Sequence, residues 1–115
     1  MKAKAPNIFT YTSYTLYLRD YYAFKKKENK KFTYRLFGAM AQTAPSLLKD
    51  IIDGRRSLSL DTMRKFAKAM GINKREKEFF KILIKFSNSK TNLQKNKYFH
   101  QIIHSRRNLS IEFLE

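Results

Sequence analysis

"APSLLKDIIDGRRSLSL", residues 44–60, decides how the rest of the chain is read. Leu48, Ile51 and Ile52 recur at spacings of three and four, which places them on one buried face of a helix. Pro45 is tolerated in a first helical turn, where its missing N–H has no partner in any case, and Gly54 stops the helix. The stretch predicts a helix from Ala44 or Pro45 to Ile52, an Asp53-Gly54-Arg55-Arg56 turn, and a second helix capped by Ser59. At about 100° per residue, the face opposite the apolar stripe carries Ser46, Lys49, Asp50 and Asp53.

The same periodicity continues in both directions. Leu58 and Met63 are spaced to staple the Ser59 helix, and Met63, Phe66, Ala67 and Met70 form its inner stripe before Gly71 ends it. Asn73 with Glu76 predicts a capping pair, opening a helix with Phe79, Phe80, Leu83 and Phe86 inward. "SNSKTN" predicts a turn, and a further helix is expected from about Leu93 to Arg106 with Phe99, Ile102 and Ile103 apolar; the tail "NLSIEFLE" carries no pattern long enough to assign. Upstream, Thr33 can cap a short helix whose apolar side is Leu36, Phe37 and Met40, and Gln42-Thr43 interrupts it. A first helix is expected from near Ser13, with Tyr14, Leu18, Tyr21 and Tyr22 on one face over Phe9 and Tyr11, ending in the polar run Lys25 to Lys31. No segment alternates as a half-buried strand does. The expectation is an all-α fold: one helical domain over residues 1–115, a bundle of five to six helices with a helix-turn-helix core at about 32–72 and additional helices at about 73–107.

Composition narrows the function classes. The chain has 115 residues, 25 Lys and Arg against 9 Asp and Glu, and a net charge of +16; such a surface attracts phosphates, acidic partners or anionic lipid, and nucleic acid first among them. The charge is spread, with +6 on residues 1–31, +4 on 32–72 and +8 on 73–107. Cysteine is absent, which rules out disulfides and thiolate metal sites and fits a reducing cytosol. No apolar run approaches the length of about 18 residues that a membrane span needs, and the opening "MKAKAPNIFTY" lacks the apolar stretch of a secretory signal. A cytoplasmic protein with no membrane partner is expected.

Catalytic chemistry is poorly supplied. The carboxylates are scattered, the glycines are isolated and no Gly-rich phosphate loop exists, so no enzyme and no cofactor is expected. His100 and His104 share a helix face at i, i+4, but no third ligand lies nearby, and metal binding is not expected.

Two helices joined by a tight turn are the architecture that puts a helix into the major groove, and residues 33–53 have that layout. The longer stretch "FTYRLFGAMAQTAPSLLKDIIDGRRSLSLDTMRKFAKAMGI" resembles the phage-repressor-like helix-turn-helix superfamily. Its parts are a Thr-capped helix (Thr33 to Met40), a recognition helix (Pro45 to Ile52), an acid-Gly-basic turn, and a Ser-Leu-x-Thr-x-x-x-Phe-Ala-x-Ala-x-Gly helix (Ser59 to Gly71). Within it, the chain looks most like a family of predicted transcriptional regulators of predatory and related bacteria; "PNIFTYTSYTLYLRDYYAFKKKENKKFTYRLF" looks like that family's opening and "FFKILIKFSNSKTNLQKNKYF" like the segment after its helix-turn-helix. The resemblance covers about residues 6–103. It implies a DNA-binding module, normally continued by a second helical domain, so this chain is expected to be a fragment, a truncated gene product or a short paralogue. It departs from the pattern in Ala41 at the small turn position, in a turn one residue longer than usual, and in Asp50 at a place that is often apolar.

The expected partner is double-stranded DNA. Lys30, Lys31, Arg35, Arg55 and Arg56 are the candidates for phosphates, with the backbone at Thr33 and Tyr34 offering N–H groups at a helix N-terminus. Thr43, Ser46 and Lys49 are the candidates for base edges, and Leu47 for a thymine methyl. Asp50 and Asp53 on the same face oppose this, unless one accepts from a cytosine amino group. They support the alternative of a protein–protein interaction module on a helix-turn-helix-like fold. Phe79, Phe80, Phe86, Phe99 and Ile103 exceed what a four-helix core needs, which suggests a homodimer through the helices after residue 73.

Overall fold

The computed structural model describes residues 4–114, with side chains as far as Arg107. Among them are a 3₁₀ turn (Ile8–Thr10) and six α-helices: α1 (Tyr14–Glu28), α2 (Tyr34–Ala41), α3 (Leu47–Ile52), α4 (Leu60–Met70), α5 (Lys74–Ser87) and α6 (Asn92–Leu114). The described residues contain no strand, and the all-α expectation holds.

Local side-chain chemistry starts four of the helices where the sequence said it would. Ser13 Oγ accepts from the Leu16 N–H at 3.3 Å, Thr33 Oγ1 from Leu36 at 3.0 Å and Ser59 Oγ from Thr62 at 3.1 Å. At α5 the box is reciprocal: Asn73 Oδ1 accepts from the Glu76 N–H at 2.8 Å, and Glu76 Oε1 from the Asn73 N–H at 3.1 Å. Each satisfies N–H groups that the helix leaves without a partner. Leu58 and Met63 are both buried, as a staple requires, and Gly71 ends α4 with φ +69°.

Packing corrects the expected inner faces of α1, α2 and α5, and leaves Ile52 of α3 and Met70 of α4 only half-buried. In α2 the buried residues are Phe37, Gly38 and Ala41, whereas Leu36 and Met40 stand 41% and 48% exposed. The cause is the close approach of residues 43–45. A Cβ on Gly38 would lie 3.1 Å from Thr43 O, Ala44 O and Pro45 Cα, so only the smallest side chain can face the incoming turn. In α1, Tyr17 joins Tyr14, Leu18 and Tyr21 in the core, while Tyr22 is half-buried. In α5, Ile84 takes the buried place expected of Phe86.

Two boundaries also move. α3 begins at Leu47 because the Leu47 N–H donates to Ala44 O at 3.1 Å, closing a turn with Pro45 and Ser46 at its centre; Ser46, at φ −91° and ψ −6°, has the third-residue geometry of a type I turn, and proline suits the second position. The helix α6 continues well past Arg106 and runs through most of "NLSIEFLE", whose side chains lie outside the described residues.

Aromatic rings tie the layers together. Phe9 meets Phe79 at 5.0 Å between centroids, Tyr17 meets Phe80 edge-on at 5.7 Å, and Phe37 meets Phe66 at 5.0 Å. Phe79 and Phe80 are thus buried within one copy of the chain, packed against the 3₁₀ turn and α1. The Arg106 guanidinium crosses from α6 to donate to Phe9 O at 2.6 Å and Tyr11 O at 2.8 Å. α3 packs on α1 and α2, and α6 packs on α5, which places them in different parts of a molecule of 39 × 37 × 20 Å. Among the described residues no helix is long and apolar enough to cross a membrane.

Candidate nucleic-acid interface

The turn between α2 and α3 is set by Gln42, not Ala41. Ala41 is the buried last residue of α2, and Gln42 adopts the left-handed conformation at φ 58° and ψ 45°. A side chain there costs about 1–2 kcal/mol relative to ordinary backbone regions, and the Thr43 N–H closes the turn on Gly38 O at 2.9 Å. With the turn fixed, Leu48 and Ile51 face the core and Ser46 and Lys49 face outward.

The four predicted base-contact residues divide. Ser46 and Lys49 are exposed; Leu47 is half-buried and packs against the core. Thr43 is also half-buried, and its hydroxyl oxygen is enclosed with no hydrogen-bond partner. That hydroxyl is therefore not presented at the surface where a base edge would meet it.

The turn after α3 is a knot of backbone and charge. The Asp50 carbonyl accepts from the Arg55 N–H at 2.8 Å and the Arg56 N–H at 3.3 Å, while Gly54, at φ +79°, supplies the left-handed residue that brings them back. The Arg55 guanidinium then lies 3.0 Å from the Asp50 carboxylate and 2.9 Å from that of Asp53, and Lys49 Nζ is 3.3 Å from Asp53. Two of the predicted DNA-facing cations are thus matched by the two carboxylates expected to oppose DNA on that face. Such exposed pairs are worth about 0–1 kcal/mol, so a phosphate can displace them at little cost. Arg56, Arg35, Lys30 and Lys31 are exposed.

The N-terminal end of α2 carries the remaining predicted phosphate contacts, Thr33 and Tyr34. Tyr34 stacks face to face on Tyr22, 3.9 Å between centroids and 3° between planes. Its hydroxyl is pushed to higher pKa by burial first, then by Tyr22 and the Asp53 carboxylate. The Thr33 hydroxyl oxygen accepts in its cap, so what this helix end can offer an anion is backbone N–H groups and the Thr33 O–H as a donor. Lys26 Nζ donates to Phe32 O at 2.7 Å, and Asn29 Oδ1 accepts from the Lys31 N–H at 3.0 Å, fixing the turn that carries Lys30 and Lys31. The Gln42 conformation, the Arg55 clamp and the Tyr22–Tyr34 stack were not predicted; only the clamp had a visible signal, in the Asp50, Asp53 and Arg55 spacing.

His100 and His104 are exposed on α6, and no group of three or more His, Asp or Glu among the described residues could hold a metal ion. No family model, no curated protein and no solved structure matches the chain.

Proposed function

We propose that this protein is a DNA-binding transcriptional regulator that presents α3 to the major groove and neutralises flanking phosphates with Lys30, Lys31, Arg35, Arg55 and Arg56. The observation that carries the reading is the split of α3. Leu48 and Ile51 anchor a short helix behind a tight turn, while Ser46 and Lys49 stand outward between two basic flanks. The sequence resemblance to repressor-like regulators supports the same role. Ser46 and Lys49 read base edges; Arg35 and Arg56 set register on the backbone.

Selection of bound duplex from a random pool at moderate salt tests this directly, because it reports sequence preference and half-site spacing together. On the selected duplex, Arg35→Ala and Arg56→Ala should each reduce the slope of log affinity against log salt by about 0.9. Unchanged affinity and slope in both variants would remove α3 and its flanks as the contact surface.

A second reading, a protein-interaction module, is favoured by the neutralised cluster of Lys49, Asp50, Asp53 and Arg55 and by exposed Leu36 and Met40 on the neighbouring helix. It predicts a saturable protein partner and no duplex shift at low salt. A homodimer through the helices after residue 73 would use Leu93 and Phe99, 83% and 44% exposed on α6; sedimentation of the wild type against Leu93→Glu checks it.

A further inference from the structure

The largest net positive charge of the three chain segments lies after α4. Residues 73–107 hold ten Lys and Arg against two carboxylates, Glu76 and Glu78. Glu76 is turned back onto the Asn73 N–H, where it completes the cap of α5. At about 100° per residue, Lys74, Lys77, Lys81 and Lys85 fall on one side of α5, away from buried Phe79 and Leu83 and bordered by buried Phe80 and Ile84, with the exposed Glu78 carboxylate at the edge of the same side. Lys74 and Lys77 are exposed and Lys81 and Lys85 half-buried, and none of the four is ion-paired among the described residues. Lys77, Lys81 and Lys85 rise along the helix in steps of about 6 Å. Such a ladder of ammonium groups suits a phosphate backbone, and with no fork geometry and little hydrogen-bond variety it is poor at reading bases.

We propose that this face of α5 is a second, sequence-indifferent docking surface for the phosphate backbone of duplex DNA, so that one copy of the protein holds two duplex segments. The surface is on a different packing layer from α3: α3 packs mainly on α1 and α2, whereas α5 packs mainly on α6, α4, the 3₁₀ turn and α1. The count of two segments rests on the reading of α3 as a groove helix; the α5 surface does not.

The test is a bridging assay with the full chain. Beads carrying one duplex are mixed with a fluorescent duplex of unrelated sequence, and protein-dependent capture is measured beside single-duplex affinity by anisotropy. Joint replacement of Lys77, Lys81 and Lys85 by Gln should reduce capture at least about tenfold and lower the salt slope for unrelated duplex by about 2 to 3. Affinity for a selected duplex should change far less, and the matching triple Arg variant should restore capture, which separates charge from folding. Capture that survives the Gln variant, as it would if a dimer bridged through two copies of α3, overturns the proposal. So does pelleting with phosphatidylserine vesicles in preference to duplex. If Arg35→Ala and Arg56→Ala leave affinity intact while the Gln variant abolishes it, the α3 reading fails and the α5 surface stands alone.

Discussion

The α3 end and the α5–α6 end of this molecule are held by different physics. Around α5, aromatic rings from three elements interlock, the capping box closes the helix start and Arg106 reaches across to the N-terminal segment. Around α3, a helix of six residues is too short to be stable by itself. It is placed by buried Leu48 and Ile51 together with backbone devices: Gly38 making room, Gln42 in a left-handed turn, and Asp50 gathering the chain after it. Charge follows the same division. Lys49 and Arg55 are matched by carboxylates at the α3 end, whereas the lysine ladder of α5 carries no such pairs among the described residues. Both ends bury aromatic and aliphatic side chains, Phe37 against Phe66 at one and Phe79 and Phe80 at the other, but the position of the candidate recognition helix is decided by the turns on either side of it.

The most damaging way to break this comparison lies in the aromatic end. Phe80 is fully buried against Tyr17, so Phe80→Ala should cost about 3–5 kcal/mol in urea unfolding. Where the variant is still folded, duplex affinity should be near wild type, since α3 is held elsewhere. Gly38→Ala should cost about 1–3 kcal/mol through overpacking, with a loss of duplex affinity out of proportion to that figure, because backbone atoms at Thr43, Ala44 and Pro45 must shift. Equal retention of affinity in both variants would erase the distinction between the ends. Gln42→Gly removes a side chain from a left-handed residue and should stabilise by about 0.5–1 kcal/mol after the entropic cost of glycine. Smallest in stability is Asp50→Asn, below about 1 kcal/mol. It frees Arg55 from one of its two carboxylates, so duplex affinity should rise; a fall would mean that the clamp orients Arg55 for its phosphate rather than withholding it.

What could be read from the sequence depended on how local the cause was. Ser13, Thr33, Ser59 and Asn73 declared themselves because a cap is a bond between a side chain and an N–H a few residues on. The stripe of α4 was equally plain, with Met63, Phe66 and Ala67 buried as spaced. The rotation of α2 was not legible: Leu36 and Met40 outrank Gly38 and Ala41 in hydrophobicity, and only the approach of residues 43–45 reverses the order. Pro45 suits both a first helical turn and the second position of a β-turn, so the start of α3 waited on tertiary structure. At the candidate interface, sequence placed Ser46 and Lys49 outward correctly. The enclosure of the Thr43 hydroxyl could not be seen, since it depends on how the turn packs.

Arg106 also sets a schedule. Its two bonds, to Phe9 O and Tyr11 O, join residues 97 and 95 positions apart, and loop closure of that span precedes any return from the contact. During folding these two bonds are therefore among the last to close, after the packing of Phe9 on Phe79 has brought the 3₁₀ turn onto α5. A chain released before residue 106 would lack the donor that secures those two carbonyls.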